Sequence, residues 1–161
     1  SETGLDFTVR NGDINFVAGT IEQITEVSKR GKEVAEKYGN PIKTYALYTL
    51  IIADTDEEAK AIEQHYIAGT DSASFEKLQE ARKNDKAGST TIDLLGEIFI
   101  APTLVGSPET IVDIFEHLEK ETDIDGLILT FPDYVEDFDY FEKNVLPLIK
   151  ARGLHKMLAT V

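Results

Sequence analysis

Short apolar runs alternate along this chain with segments in which apolar residues return at three- and four-residue steps. Residues 13–19 (DINFVAG) form a compact strand-like run ending on a glycine. Thr20, with Gln23 three positions on, makes a capping box that predicts a helix start. Ile21, Ile24, Val27, Val34, Ala35 and Tyr38 carry its narrow apolar stripe with Gly31, and Gly39, Asn40 and Pro41 end it. Residues 43–54 (KTYALYTLIIAD) follow as a nearly unbroken aromatic and β-branched run, which predicts a strand covered on both sides in a parallel sheet. Thr55 and Glu58 repeat the capping box, and Ala59, Ile62 and Tyr66 carry the next helical stripe.

The register of the text changes over 69–96, where Phe75, Leu78 and Ala81 suggest one short helix and RKNDKAGSTT is small and polar. This region reads as an insertion over one end of the sheet. VGSPET then sets a serine N-cap, a proline at the first helical position and an acid in the first turn. Its helix runs to about residue 121 on Ile111, Ile114, Phe115 and Leu118. GLILTF (126–131) is the third predicted strand, and a last helix is expected to turn Tyr134, Val135, Phe138, Phe141, Val145, Leu146 and Ile149 inward, with Asp137, Glu142 and Lys143 outward.

Strands and helices in alternation, with two-sided apolar strands, predict an α/β fold with a parallel sheet and right-handed crossovers. Three strands make either a small open sheet or the last three βα units of a TIM-type barrel, which typically takes roughly 250 residues. The opening SETGLDF favours the barrel, because an S-x-x-G turn of this kind belongs between a strand and a helix and no strand precedes it here. On this reading residues 1–161 are a single incomplete domain.

Charge and composition narrow the partners. Thirty acidic side chains against 16 basic ones leave a formal charge of −14, which opposes nucleic acid and anionic membrane surfaces. Lys29, Arg30 and Lys32 are the densest basic group, but Glu26, Glu33 and Glu36 interleave with them as on a solvated helix face. With no cysteine, disulfides, thiolate nucleophiles and sulfur-ligated zinc are excluded. No apolar run spans a bilayer and no signal or lipidation motif is visible, so the expected compartment is the cytoplasm. Walker, dinucleotide-binding and nucleophile-elbow motifs are absent.

Four stretches together resemble a known family: SETGLDFTVRNGDINFV, LYTLIIADTDEEAKAIEQHY, TLVGSPETIVDIF and GLILTFPDYVEDFDYFEKNVLPLI. In order and spacing they are similar to the flavin-dependent monooxygenases of the bacterial luciferase type, and within that family to the pyrimidine monooxygenase group. The resemblance implies the C-terminal portion of a TIM-type barrel whose five earlier strands lie elsewhere. It implies that the loop opening at Ser1 holds the phosphate of FMN, with the Ser1 hydroxyl and main-chain contacts from Glu2, Thr3 and Gly4. Orphan N–H groups at a helix start and a glycine that allows close approach suit a phosphate dianion.

The implied chemistry is reduced FMN (FMNH2) activating O2 as a flavin peroxide, which oxygenates a small heterocycle such as a pyrimidine, with a flavin reductase supplying FMNH2. Within the family a sulfone or alkane monooxygenase is the alternative. The competing reading is a non-catalytic α/β fragment whose exposed sheet edges pair with another chain, either the missing N-terminal part of the barrel or a second copy.

Other residues are weighed by position. Phe131, Pro132 and Asp133 follow a strand's C-terminal end, where barrel sites lie, and either line the pocket or turn the chain. Asp133, Glu136, Asp137 and Asp139 read as helix-start acids rather than a metal or acid/base cluster. His65, His117 and His155 lack ligand spacing, and no metal is expected. Tyr45 and Tyr48 contact an isoalloxazine or belong to the core, and Asn15 is expected to hydrogen-bond in the barrel interior or near its mouth.

Overall fold

The structure, a computed structural model, describes residues 2–71, 73, 76, 77, 80, 99 and 101–154. Its elements are α1 (Glu2–Asn11), β1 (Ile14–Val17), α2 (Ile21–Tyr38), β2 (Lys43–Ile52), α3 (Asp56–Gly69), β3 (Thr103–Gly106), α4 (Pro108–Glu121), β4 (Gly126–Thr130), α5 (Glu136–Tyr140), a π-helical turn (Phe141–Val145) and α6 (Leu146–Ala151). Most of the predicted 69–96 insertion, including Phe75, Leu78 and Ala81, lies outside the described residues.

All the strand pairs are parallel, as two-sided apolar runs predict. Tyr45 and Ala46 pair on one side with Phe16 and Val17 and on the other with Gly126 and Leu127, so β1 and β4 flank β2 on opposite edges. Thr49 pairs with both Thr103 and Thr130, which puts β3 on the same edge as β1, end to end with it. The predicted strands are therefore three successive staves of a barrel wall, β1, β2 and β4. β3 is a fourth strand that the pattern of the sequence does not predict. It is four residues long, and its pairing with the far half of β2 makes it a strand.

The register also assigns the two faces. Val17, Ala46, Tyr48 and Leu50 join Ile24, Ile111, Phe115, Leu118, Phe141, Val145 and Ile149 in one core, with Leu104, Leu127 and Leu129 packed against it. These strand residues all share one side of the sheet, the side covered by α2, α4 and the C-terminal helical segment. The opposite side carries Ile14, Phe16, Tyr45, Leu47, Thr49, Ile51, Ile128 and Thr130. Thr49 and Ile51 are buried there, whereas Ile14 and Phe16 are 45% and 67% exposed.

Caps set the helix ends that place the loops. The Thr20 side chain accepts from the Gln23 N–H, and Gln23 returns the bond to the Thr20 N–H, so the predicted capping box is complete. Gly39 closes α2 in the left-handed conformation (φ 65°) that glycine takes without steric cost. The C-terminal helix departs from the expectation. Tyr134 and Val135 precede α5 in a turn, and with Phe138 they are 62%, 80% and 51% exposed rather than inward. Phe141, Val145 and Ile149 are buried as predicted.

Candidate functional site

In a parallel βα fold the C-terminal ends of the strands carry the site, because the loops that follow them are free to vary while the wall stays fixed. Here that end gathers the segments after Val17, Ile52, Gly106 and Thr130.

Two carboxylates from the loop and helix after β2 organise it. Asp54 Oδ1 accepts from the Tyr140 hydroxyl at 2.7 Å, which binds the β2 loop to α5. Desolvation, with the Asp54 bond and the nearby charges of Asp54, Glu58 and Glu109, pushes the Tyr140 phenol up to about 12. At neutral pH it is a protonated donor. Asp56 Oδ1 accepts from the Ser107 N–H at 2.7 Å and Asp56 Oδ2 from the Thr110 hydroxyl at 3.0 Å, while Ser107 Oγ accepts the Thr110 N–H at the start of α4. The Ser107 backbone bond, then the Thr110 hydroxyl, hold the Asp56 carboxyl below its ordinary value. Gly106 fits this clamp because a Cβ there would lie 2.7 Å from Thr110 Cγ2 and 2.9 Å from Thr110 Cβ.

After β4, Phe131 is buried and meets Tyr134, Phe138 and Phe141 edge to face at centroid distances of 6.1, 5.8 and 5.7 Å. Tyr134 and Phe138 thus form an aromatic rim that is open on its outer side. Asp133 belongs to the backbone, as a helix-start acid should. Its Oδ1 accepts from Val135 N–H and Glu136 N–H at 2.8 and 3.1 Å, and these bonds, Glu136 first, lower its pKa. Among the described residues no group of three side chains could hold a metal ion. His65 and His117 are exposed on separate helices, and His155 lies outside the described residues.

Two predicted candidates face the other way from the interior. Tyr48 is buried on the helix-covered side, its hydroxyl donating to the Gly19 carbonyl at 3.4 Å and its phenol pushed up to about 12 by desolvation. Asn15 is in register with Thr44 and on the side of Val17, so it points toward the helices and not into the barrel interior, and its Nδ2 is buried without a hydrogen-bond partner among the described residues. Alternation along a strand fixes these faces, and the parity relative to Ala46 was the signal available in the sequence. Tyr45, with the opposite parity, does lie on the interior side.

Of the predicted phosphate loop, Glu2, Thr3 and Gly4 come together as the first turn of α1, and Ser1 lies outside the described residues. α1 runs in the same direction as α2. Leu5 lies near Gly31, Tyr38 donates to Asp6 at 2.7 Å, and Asn40 donates to the Val9 carbonyl, so the first turn of α1 points toward the C-terminal side of the sheet. A groove of about 460 Å³ separates the helices, with Thr3, Leu5 and Asp6 on one wall and Arg30, Glu33 and Lys37 on the other. Its charges balance, so any preference for an anion rests on the helix start.

The family model described as luciferase-like monooxygenase matches residues 1–123. The pyrimidine monooxygenase RutA of Acinetobacter baylyi is 31% identical over 163 residues, which cover 94% of this chain and 44% of that protein. The crystal structure of DmoA from Hyphomicrobium sulfonivorans superposes with a TM-score of 0.74 at 24% identity, over 99% of this chain and 44% of that one. The structure of riboflavin lyase RcaE, solved with modified FMN and the substrate riboflavin, gives 0.72 at 23% identity, over 95% of this chain and 42% of that one. These structures establish the fold, part of a TIM-type barrel, and the chain spans less than half the length of the proteins it matches.

Proposed function

This chain belongs to the luciferase-like monooxygenase family, and from that membership we propose that it forms the C-terminal barrel arc of a reduced-FMN-dependent monooxygenase acting on a small heterocycle such as a pyrimidine. The observation that carries the reading is the family match over residues 1–123, reinforced by the RutA relatives. Residues 1–161 are then one incomplete domain with 69–96 inserted at the strand ends. The working compartment is the cytoplasm, where a flavin reductase supplies FMNH2.

The residues present fit the phosphate end of FMN. The first turn of a ten-residue helix presents main-chain N–H groups and the positive end of the helix dipole, and Gly4 adds no side chain to obstruct an approaching dianion. Glu2, Thr3 and Gly4 supply these main-chain contacts, with the Ser1 hydroxyl. Bound flavin provides O2 activation, and this chain's part is to hold the phosphate, close one wall of the barrel and exclude water from it. A sulfone or alkane substrate would use the same parts.

The test is quenching of flavin fluorescence by the purified chain, alone and in any assembly it forms, before and after reduction. Thr3→Glu puts a carboxylate in the first turn of α1 and should weaken FMN binding about tenfold. Absence of FMN binding in every assembly would remove the flavin reading.

A further inference from the structure

We propose that the hydroxyl of Thr130, oriented by its bond to Thr49 on the interior face of the sheet, accepts a hydrogen bond from a ring N–H of the bound ligand, so that this layer selects a cyclic amide. The inference rests on the flavin monooxygenase reading above and deepens it. Both rings of that reading, the isoalloxazine and a pyrimidine, carry such a group, whereas a sulfone or an alkane carries none.

Position carries the first part of the argument. Thr49 pairs in register with Thr103 on one side and with Thr130 on the other, so three threonines cross β3, β2 and β4 in one row. The row lies on the side of the sheet opposite the helix-covered core, among Phe16, Leu47, Ile51 and Ile128. Branched apolar side chains dominate the interior of a barrel of this type, so side chains of valine's shape that carry a hydroxyl are a departure there. They also stand where such barrels do their chemistry, at the C-terminal ends of the strands. Thr130 is the last residue of β4, and Thr49 lies close to the end of β2 at Ile52.

The hydroxyl protons carry the second part. Thr49 Oγ1 and Thr130 Oγ1 are 2.9 Å apart, and Thr130 Oγ1 donates to the Tyr48 carbonyl at 3.4 Å. Each threonine has one hydroxyl proton and two lone pairs. With the Thr130 proton given to Tyr48, Thr49 is the donor between the two hydroxyls, and Thr130 keeps one lone pair. The Thr49 N–H donates to the Pro102 carbonyl at 2.9 Å and Thr49 is 2% exposed, so a ligand meets the pair at Thr130, which is half-buried. An acceptor with no proton left to give takes a donor, and a ring N–H supplies one. Thr49 is then a positioning residue, which fixes the direction of the open lone pair without touching the ligand. A cross-strand threonine pair that served the sheet alone would be indifferent to what the barrel binds.

The experiment measures equilibrium binding of FMN, of uracil and of 1,3-dimethyluracil, which has no N–H, to the purified chain and to any assembly it forms. Thr130→Val removes the acceptor at nearly constant shape and should weaken FMN or uracil about tenfold. Thr130→Ser keeps the hydroxyl and should bind as the unsubstituted chain does. A loss for FMN assigns the N–H to the flavin, and a loss for uracil with 1,3-dimethyluracil unmoved assigns it to the substrate. Unchanged FMN and uracil binding in Thr130→Val would overturn the proposal and leave the flavin reading standing. Equal losses in Thr130→Val and Thr130→Ser, or an equal loss for 1,3-dimethyluracil, would overturn it too, by showing that shape and not the hydroxyl matters. Uracil binding that falls in Thr130→Val where FMN never binds would defeat the flavin reading and leave this inference standing. Binding of neither ligand to any form would overturn both.

Discussion

The Tyr140 hydroxyl donates to Asp54 Oδ1 at 2.7 Å, joining the loop after the central strand to the helix after the last. Desolvation and that carboxylate raise the phenol to about 12, so its neutral form is favoured on folding. The contribution is complete below the ordinary tyrosine value of 10.0 and is lost as pH rises through the folded value. Spectrophotometric titration should find Tyr140 among the late-ionising phenols with Tyr48. Asp54→Asn should bring one of the two earlier, and Tyr140→Phe should remove it. An unchanged titration in Asp54→Asn would mean that the pair does not exist in solution.

Asp56 gives the opposite pH dependence. Its folded pKa is lowered below 3.8 by the Ser107 N–H and the Thr110 hydroxyl, so its stabilising effect is present above that value and disappears as pH falls through the folded pKa. Asp56→Asn should lower the melting temperature at neutral pH, and the gap to the unsubstituted chain should shrink on acidification below 3.8. A gap that stays constant with pH would assign the loss to geometry and not to charge.

Gly106 is set against the same clamp. An added methyl would lie 2.7 Å from Thr110 Cγ2 and 2.9 Å from Thr110 Cβ, both part of a residue held by Asp56 and Ser107. Gly106→Ala should therefore cost about 1–3 kcal/mol in denaturant unfolding, the usual range for overpacking. Thr110→Ser, which deletes Cγ2, should recover part of it in the double variant.

Phe115 and Phe138 separate core from rim. Phe115 is 1% exposed in the main cluster, and Phe115→Ala should cost about 3–5 kcal/mol. Phe138 is 51% exposed and meets the rings of Phe131 and Phe141, so Phe138→Ala should cost about 0.5–1.5 kcal/mol. Equal losses in urea unfolding would contradict the exposure of the rim.

This contrast marks how far the sequence could be read. The Thr20–Gln23 capping box, the Ser107–Pro108 helix start and the two-sided β2 run are local signals, and the structure keeps them all. Apolar spacing named the inward side of the last helix correctly at Phe141, Val145 and Ile149. The same spacing does not say where the core stops, and Tyr134, Val135 and Phe138 share the apolar period yet lie outside it. β3 and the Asp54–Tyr140 and Asp56–Ser107 bonds span 86 and 51 positions or depend on strand pairing, and no local period announces them.

Asn15 offers a last test, since it is a polar residue in a strand where the fold gives its amide no partner. It pairs in register with Thr44, sits on the helix-covered side with Val17, and its Nδ2 is buried with no hydrogen bond among the described residues. A buried donor left unsatisfied costs about 1–3 kcal/mol, and asparagine is also a poor strand residue. Asn15→Val removes the donor, keeps a similar branched shape and suits the strand, so it should raise stability by about 1 kcal/mol or more in denaturant unfolding. Asn15→Asp, which would bury a charge in the same place, should lower it by more than that. If Asn15→Val destabilises instead, the amide is satisfied in solution by a bound water, and the prediction of an unpaired donor fails.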